Sequence, residues 1–244
     1  MSASGAEVRP GLHCVVNWAR QPYAAVVVTL MAIGLVPALW PQLDLTLAAL
    51  FIGPDKSIAS AQWWWVRAIN SYVPLLSRLS VAAALLLWMA SAFAPRLKPW
   101  RFVLAFVVIA TTLGPGVMVD TVVKDSFKRA RPSQVQEFGG PRQFTAALQA
   151  ADQCASNCSF VSGHASSAFL LAGVAALGGR RRLWWLYGGA LAGLLTGFAR
   201  MSVGAHWFSD VVWAGVVILG CCAAVAWWLK AVKPSYFEHQ MLSK

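Results

Sequence analysis

The chain has 244 residues, of which 58% are hydrophobic and only 12% are charged. Soluble domains carry about 25% charged residues, so this composition argues against a soluble protein and indicates that lipid covers much of the surface. The formal net charge is +11, but no nucleic-acid-binding motif accompanies it, and we expect no nucleic-acid partner.

Six apolar segments without charges follow one another, and most approach the roughly 20 residues that span a bilayer. They lie between Arg20 and Asp44, Arg78 and Arg96, Arg101 and Asp120, His164 and Arg180, Arg182 and Arg200, and Asp210 and Lys230. None alternates polar and apolar residues as a membrane β-barrel requires. The sequence predicts an all-α integral membrane protein, a six-transmembrane-helix bundle forming a single domain over residues 1–244 with its core at about 23–232.

Two segments leave alternatives open. The first apolar segment could be a secretory signal peptide, although it begins late and lacks a clean small-residue cleavage site. The stretch Ser60–Pro74 reads "SAQWWWVRAINSYVP". It is typical either of a segment that lies in the plane of the membrane interface or of an aromatic belt at the start of the next span.

Short basic gaps predict the orientation of the bundle. Arg96–Arg101 separates the second and third spans, and Arg180–Arg182 separates the fourth and fifth. Because Lys and Arg favour cytoplasmic loops, we expect both termini and these gaps in the cytoplasm, although the other face carries cations too. The long polar stretch Lys124–Ser162 then lies outside, where Cys154 and Cys158 can form a disulfide in an oxidising compartment.

Three polar clusters flank these spans: "KDSFKRARP" (Lys124–Pro132), "VSGH" (Val161–His164) and "ARMSVGAHWFSD" (Ala199–Asp210). The first follows the third span, the second opens the fourth, and the last joins the fifth to the sixth. In a chain with six spans, all three clusters lie on the same side of the membrane. Polar side chains that are distant in sequence therefore converge at one membrane surface.

Five residues of these clusters suit the binding of a phosphate group. Lys124, Arg131 and Arg200 are cations; Arg binds phosphate through a fork of N–H groups, and Lys acts as a compact charge. Gly163 allows close approach of the backbone to an anion. Ser162 adds a hydroxyl at a predicted helix N-terminus, whose dipole favours anions.

Two histidines add reactive groups to the clusters. Asp210 follows His206 by four residues, so the carboxylate can hold one ring nitrogen protonated and leave the other free to attack. His164 is the second candidate for proton transfer.

Each cluster also has a structural interpretation without any function. The alternatives are N-capping by Ser162, a helix-surface pair of His206 with Asp210, an i,i+4 pair of Asp120 with Lys124, and a solvent-exposed pair of Lys128 and Arg129. We assign Lys128 and Arg129 to the solvated surface. For the other residues, the convergence of all three clusters favours the functional interpretation.

At these residues the chain resembles the type 2 phosphatidic acid phosphatase superfamily, whose signature reads K-x6-R-P, P-S-G-H and S-R-x5-H-x3-D. The matching residues, in the same order and spacing, are Lys124, Arg131, Pro132, Ser162, Gly163, His164, Arg200, His206 and Asp210. Two positions depart from the signature. Val161 stands in place of Pro, and Ala199 stands in place of Ser, which removes one hydroxyl near the phosphate.

The resemblance implies a membrane lipid phosphatase that needs no metal or other cofactor. His206 would attack phosphorus and form a phosphohistidine, Asp210 would orient His206, and His164 would protonate the leaving oxygen and then activate water. The implied phosphate ligands are Lys124, Arg131, Arg200, Ser162 and Gly163. We expect a bacterial-type inner membrane protein whose site faces the periplasm or exterior.

The expected partners are the bilayer and a phosphorylated lipid. Only 15 residues separate His164 from Arg180, or about 22 Å of helix, so His164 is expected near head-group depth in a bilayer with a hydrocarbon core of about 30 Å. The candidates are phosphatidic acid, phosphatidylglycerophosphate, a polyprenyl pyrophosphate and a lipid A phosphate, because "CSFVSGHAS" resembles the corresponding phrase of some lipid A phosphatases. The oligomeric state is left open.

Three rival functions remain. A lipid phosphotransferase would pass the phosphate from the same phosphohistidine to another lipid. A haloperoxidase would hold vanadate in the same cradle, although six spans argue against it. A transporter would place its polar residues at the bilayer midplane rather than at helix ends.

Overall fold

The computed structural model describes residues 22–53 and 56–233, and these residues form helices and no strand. The α-helices are α1 (Pro22–Leu39), α2 (Gln42–Ala49), α3 (Trp64–Ala90), α4 (Arg101–Thr111), α5 (Lys124–Phe127), α6 (Gly163–Gly173), α7 (Arg182–Ser202) and α8 (Phe208–Val232). A π-helical stretch, Thr112–Val123, joins α4 to α5. Short 3₁₀ turns cover Ala59–Gln62, Pro95–Trp100, Pro132–Gln134, Gln136–Phe138 and Val174–Leu177.

Four helical segments are long and apolar enough to cross a membrane: Pro22–Leu39, Trp64–Ala90, Pro95–Gln134 and Phe208–Val232. Their outer surfaces expose large apolar side chains, which lipid can cover. The chain is therefore an all-α membrane protein, as predicted. The count of six spans stays a prediction, because Gly163–Leu177 is shorter than a span and Arg182–Ser202 is not among the four.

Small residues let α6 pack into the centre of the bundle. A methyl group on Gly189 of α7 would lie 2.0 Å from the backbone nitrogen of Ala172 in α6, so the two backbones touch at this point. Phe169 of α6 is fully buried, and its ring fills the space beside Gly193 of α7 and Gly215 of α8. Close helix contacts at small residues are a common feature of membrane bundles. This packing fixes the N-terminus of α6, which carries the Ser-Gly-His cluster.

The second predicted span begins earlier than the sequence analysis placed it. The prediction began this span at Arg78, whereas α3 begins at Trp64 and includes both Arg67 and Arg78. The charge-free segment ended at Arg78, but a long Arg side chain can leave a helix and reach polar surroundings, so a charge does not have to end a span. The Trp run stands at the start of α3, with Trp64 80% exposed, which matches the aromatic-belt interpretation.

Candidate active site

One cavity, with a volume of about 580 Å³, collects residues from all three polar clusters. Six of the eight sequence-predicted site residues line it: Lys124, Arg131, Gly163, His164, Arg200 and His206. Ser162 and Asp210 are fully buried and do not line it. The cavity also borders α3 and the π-helical stretch, which the sequence analysis did not connect with the site.

Lys124 and Arg131 meet at Asn157. The ammonium of Lys124 lies 2.6 Å from a carboxylate oxygen of Asp120 and 3.5 Å from the side-chain oxygen of Asn157. Nη2 of Arg131 donates to the backbone carbonyl of Asn157 at 2.8 Å. The predicted i,i+4 pair of Asp120 with Lys124 is therefore present, and it coexists with the position of Lys124 in the cavity wall.

Arg200 contacts Asn70, a residue of α3. Nη1 of Arg200 donates to the side-chain oxygen of Asn70 at 2.8 Å. Within the described part of the chain, Nε of Arg200 is buried and has no hydrogen-bond partner. A buried charged donor without a partner is unfavourable, so this N–H is available to an oxyanion in the cavity.

The N-terminus of α6 is shaped by Ser162 and Gly163. The hydroxyl of Ser162 accepts a hydrogen bond from the backbone nitrogen of Ala165 at 3.4 Å, so Ser162 serves as the N-cap. A methyl group on Gly163 would lie 3.3 Å from Nζ of Lys124 and 3.5 Å from the carboxylate of Asp120. Gly163 therefore keeps open the space in front of the Lys124 ammonium.

His206 precedes α8 and is 4% exposed. Its Nδ1 lies 2.8 Å from the backbone carbonyl oxygen of Ser159. A carbonyl oxygen can only accept, so Nδ1 carries the hydrogen and Nε2 keeps its lone pair. Burial lowers the pKa of His206 below its ordinary value, which favours the neutral ring. This is the protonation state of a nucleophile.

Asp210 contacts His206 less directly than its spacing suggests. The distance from its Oδ2 to Nδ1 of His206 is 3.6 Å, longer than a hydrogen bond. Oδ2 instead accepts from the hydroxyl of Ser159 and from the backbone nitrogen of Trp207, the latter at 2.9 Å. Asp210 therefore holds Ser159, whose carbonyl accepts the N–H of the imidazole, and Trp207, which follows His206 in the chain.

The assignment of Arg129 to the solvated surface was wrong. Arg129 is 1% exposed, and its Nη1 and Nη2 form ion pairs with Asp210 at 2.7 Å and with Asp44 of α2 at 2.8 Å. Its guanidinium carbon lies 5.1 Å from the ring centre of Trp207 and 5.5 Å from that of Phe144. Of the two residues assigned to the solvated surface, Lys128 is exposed and Arg129 is buried. Two buried carboxylates share one buried guanidinium because neither charge can be solvated at this position.

Asp44 attaches α2 to the start of α8. Its two carboxylate oxygens accept hydrogen bonds from the backbone nitrogen and the hydroxyl of Ser209, at 3.0 and 2.5 Å. Burial raises the pKa of Asp44, and the Arg129 charge opposes this effect. A carboxylate at a helix N-terminus is stabilised by the free N–H groups there, so Asp44 and Asp210 together fix the turn that presents His206.

Backbone hydrogen bonds join the three clusters to one another. Ser133, next to the first cluster, donates to the carbonyl of Gly204 in the third cluster at 3.0 Å. Ser162 of the second cluster donates to the carbonyl of Asp210 at 3.1 Å, and Ser159 donates to the carbonyl of Arg129 at 2.9 Å. These bonds fix the positions of the clusters relative to one another, and they do not involve the side chains that face the cavity.

The predicted disulfide is present. Cys154 and Cys158 are bonded, with their Cα atoms 5.6 Å apart. The loop that they close contains Asn157, which contacts both Lys124 and Arg131. The crosslink therefore restrains a residue that positions two cations of the cavity. Among the described cysteines, Cys221 and Cys222 are free.

Comparison with known proteins identifies the family. The model of the PAP2 superfamily matches residues 102–234, just over half of the chain. The chain belongs to the PAP2 superfamily. This membership confirms the resemblance found in the sequence to the type 2 phosphatidic acid phosphatases, and the matched range contains all three polar clusters.

Three curated relatives of the chain all have the name lipid A 4'-phosphatase. A lipid A 4'-phosphatase of Francisella tularensis subsp. novicida is 32% identical over 191 residues, covering 74% of this chain and 83% of the relative. Lipid A 4'-phosphatases of Rhizobium leguminosarum and Rhizobium etli are 42% and 39% identical over shorter regions, covering 41% and 42% of this chain and 43% and 40% of the relatives. No solved structure gave a significant match. Together, the PAP2 family and these relatives support a membrane lipid phosphatase, a hydrolase of phosphoric esters.

Four residues around the candidate site were not assigned to it in the sequence analysis: Asp44, Asn70, Arg129 and Asn157. One signal was available for Asp44, since a lone carboxylate at the end of an apolar segment is costly in a membrane unless it has a partner. The other three lack such a signal. In the described ranges, no group of three or more His, Cys, Asp and Glu side chains is placed to hold a metal ion.

Proposed function

We propose that this PAP2 protein removes phosphate from a phosphorylated membrane lipid through a phosphohistidine on His206. The observation that carries the proposal is the hydrogen bond from Nδ1 of His206 to the carbonyl of Ser159, at 2.8 Å. It leaves Nε2 unprotonated in a cavity that Lys124, Arg131 and Arg200 also line. Three cations suit a phosphate dianion, and an unprotonated ring nitrogen suits attack on phosphorus.

In the first step, Nε2 of His206 forms a bond to phosphorus while the bond from phosphorus to the lipid oxygen breaks. His164, in the wall of the same cavity, donates a proton to that oxygen, so the lipid leaves as an alcohol. Lys124, Arg131 and Arg200 stabilise the charge that develops on the phosphoryl oxygens. Asp210 keeps the imidazole in place through Ser159 and Trp207.

In the second step, water attacks the phosphohistidine. His164, now unprotonated, accepts a proton from the water, and the bond from Nε2 to phosphorus breaks. Inorganic phosphate leaves, and both histidines return to their initial protonation states. The phosphate ligands that we propose are the three cations and the backbone at Gly163, whereas Ser162 acts as the N-cap of α6.

The substrate class that the relatives favour is a lipid A phosphate, because all three carry the name lipid A 4'-phosphatase. The similarity to the relative from Francisella tularensis subsp. novicida extends over 83% of the length of that protein, and this supports the suggestion. Phosphatidic acid, phosphatidylglycerophosphate and a polyprenyl pyrophosphate are the other candidates, because the cradle recognises phosphate and not the lipid.

The proposed location is the bacterial inner membrane, with six spans, both termini in the cytoplasm and the site on the opposite face. The basic gaps Arg96–Arg101 and Arg180–Arg182 support this orientation. The disulfide between Cys154 and Cys158 supports it as well, because disulfides persist in oxidising compartments. Reporter fusions after Arg182 and within residues 134–153 should report opposite sides of the membrane. A cytoplasmic reporter within residues 134–153 would show that the proposed orientation is wrong.

The test of the function is phosphate release by the purified protein in detergent micelles. The lipid panel contains lipid A, phosphatidic acid, phosphatidylglycerophosphate and undecaprenyl pyrophosphate, each with EDTA and with added magnesium. We expect release from at least one lipid in the presence of EDTA, and none from the His206→Ala variant. Activity that disappears with EDTA and returns with magnesium would reject the metal-independent mechanism. Transfer of the phosphate to a second lipid, without free phosphate, would indicate a phosphotransferase.

A further inference from the structure

The proposed chemistry uses only one end of the cavity. The other end is lined by α3 and by the segment where α4 meets the π-helical stretch, through Pro74, Ser77, Arg78, Thr111, Pro115 and Gly116. The whole cavity holds about 580 Å³, within the range of roughly 300–1,000 Å³ of sites that enclose a drug-sized ligand. A phosphate group with about five heavy atoms leaves most of this volume free, so the cavity has room for the adjoining part of the lipid.

Arg78 is the charged residue of this second end. It lies near the middle of α3, a 27-residue helix that is apolar enough to span a membrane. The structure gives Arg78 no hydrogen bond or ion pair with the described residues, although it lines the cavity. A cation within a membrane-spanning helix is costly, and such residues usually face a polar cavity or a ligand.

The depth of Arg78 can be obtained from α3 itself. Asn70 accepts a hydrogen bond from Arg200, a cation of the proposed phosphate site, so it marks the level of that site on this helix. Arg78 follows Asn70 by eight residues, which corresponds to about 12 Å along the helix axis. The polar head-group layer of one leaflet is only about 5–8 Å thick. The Cα atom of Arg78 therefore lies below the layer that contains the lipid phosphates.

The opposite wall of the cavity is formed by the π-helical stretch. Residues Thr112–Val123 form a π-helix, a conformation that often marks functional sites. Pro115 and Gly116, inside this stretch, line the cavity, and neither has a side-chain hydrogen-bond donor. The hydroxyl hydrogen of Thr111 is donated to the carbonyl of Val107 at 2.7 Å. The donors of this end therefore come from α3, chiefly from Arg78.

We propose that Arg78 is a substrate-binding residue that donates hydrogen bonds to the carbonyl oxygens linking the acyl chains to the head group. This inference rests on the proposed function, because it concerns the same lipid in the same cavity. Below the phosphate, these ester or amide carbonyls are the next polar groups of a membrane lipid, and they can only accept. The Arg guanidinium carries five donors and no acceptor. Arg78 thus selects an acylated lipid phosphate over a phosphate without neighbouring carbonyls.

The experiment compares two phosphatidic acids of equal chain length, one with ester-linked and one with ether-linked chains. Both are added as competitors while the wild-type protein hydrolyses its best lipid of the panel in mixed micelles. The two competitors differ only in the carbonyl groups. For the wild type we expect roughly ten- to a hundred-fold tighter inhibition by the ester lipid, the usual value of a hydrogen bond to a charged group.

Three variants connect this preference with Arg78. Arg78→Gln should reduce the ester-to-ether ratio to about one, and Arg78→Lys should retain part of the preference because it keeps the charge and a donor. Arg67→Gln, on the same helix but outside the cavity wall, is the matched control and should keep the wild-type ratio. Inhibition by inorganic phosphate, which reports the phosphate cradle alone, should be unchanged in all three variants.

The outcomes separate this inference from the proposed function. If the wild type releases phosphate from no lipid of the panel, the function itself is wrong. If the wild type is active but shows no preference, or neither phosphatidic acid inhibits, Arg78 does not bind acyl carbonyls. Retention of the preference in Arg78→Gln would also reject the inference. If Arg78→Gln weakened inhibition by both phosphatidic acids equally, Arg78 would instead bind a phosphate group of the lipid, contrary to the proposal.

Discussion

The guanidinium of Arg129 and the carboxylate of Asp210 form an ion pair in the protein interior, with 2.7 Å between Nη1 and Oδ1 and at most 1% of either side chain exposed. This pair explains why Asp210 does not need His206 as its main partner. The charge of the carboxylate is compensated by Arg129, and its second oxygen is occupied by Ser159 and Trp207. Asp210 therefore positions the imidazole mainly through the residues around it.

The first prediction concerns the stability that Arg129 provides. Arg129→Met removes the one cation that the structure places between Asp44 and Asp210, and leaves two carboxylates buried without it. Breaking a buried ion pair on one side costs about 3–5 kcal/mol. We expect a large fall in the midpoint of thermal unfolding in detergent, together with a loss of activity.

The adjacent residue offers a matched control for this variant. Lys128 is exposed, so Lys128→Met removes the same charge one position earlier without affecting a buried partner. Surface substitutions usually change stability by less than about 0.5 kcal/mol. Equal unfolding midpoints for the two variants would contradict the buried network of Arg129.

The second prediction separates the roles of the two histidines. His206→Ala should abolish turnover and any covalent phosphoenzyme, because Nε2 of His206 is the proposed nucleophile. His164→Ala should slow turnover by roughly 10²–10⁴-fold, the usual contribution of a general acid. The loss should be smallest with nitrophenyl phosphate, whose leaving group needs no proton.

Mapping the phosphoenzyme tests this assignment directly. The reaction is quenched rapidly without acid, because phosphohistidine is acid-labile, and the labelled residue is identified. We expect phosphate on His206 in the wild type and a longer-lived phosphoenzyme in His164→Ala, since His164 is also the proposed base for water. Phosphate on His164, or on no histidine, would reverse or reject the mechanism.

The third prediction concerns the pH dependence of His206. Burial lowers the pKa of this ring, so His206 should remain neutral at pH 6.5, where an ordinary histidine is about half protonated. The neutral nucleophile is therefore present above the lowered pKa and is lost as the pH falls through it. NMR titration of histidine-labelled protein, with His206→Ala to assign the signal, should give a midpoint below about 6.5. A midpoint above this value would mean that a carboxylate outweighs burial.

The sequence predicted residues that the structure brings together at one end of the cavity. Motif spacing identified the charged residues, and the order of apolar segments placed the three clusters on one side of the membrane. Six of the eight predicted residues line one cavity as a result. The spacing of His206 and Asp210 predicted a pair on one helix face if the helix had already begun. The two side chains do approach each other, to 3.6 Å, although α8 begins only at Phe208.

The buried network and the second end of the cavity could not be predicted in this way. Arg129 and Asp44 are 85 residues apart, and a charge in a basic loop gives no sign of burial. Arg78 was taken as the end of a span, since the sequence does not show whether a charged residue in a helix faces lipid or a cavity. Both features depend on tertiary packing between α2, α3 and α8, which sequence periodicity does not report.

The fourth prediction concerns the disulfide loop. Cys154 and Cys158 close a ring that contains Asn157, whose contacts with Lys124 and Arg131 are 3.5 and 2.8 Å long. Thiol counting on denatured, unreduced protein should find three free cysteines among the five of the sequence; five would reject the bond. The double variant Cys154→Ser, Cys158→Ser should bind inorganic phosphate more weakly and lose about 2 kcal/mol of stability, because so short a ring contributes less than the roughly 3 kcal/mol of a 15-residue loop.

The last prediction concerns the space that Gly163 leaves beside Lys124. In Gly163→Ala, the added methyl group would lie 3.3 Å from Nζ of Lys124 and 3.5 Å from Asp120, in the space where the proposed mechanism places a phosphate oxygen. Relieving such overpacking costs about 1–3 kcal/mol, so we expect kcat/KM to fall by about tenfold or more. Stability should change little, because the atom closest to the new methyl group is Nζ of Lys124, the end of a flexible side chain that can move by a few tenths of an ångström. Gly188→Ala in α7, where the new methyl group meets nothing within 4 Å, is the control and should keep full activity. Steady-state kinetics and thermal unfolding of both variants decide the matter: unchanged kcat/KM in Gly163→Ala would show that no substrate group occupies the space in front of Lys124.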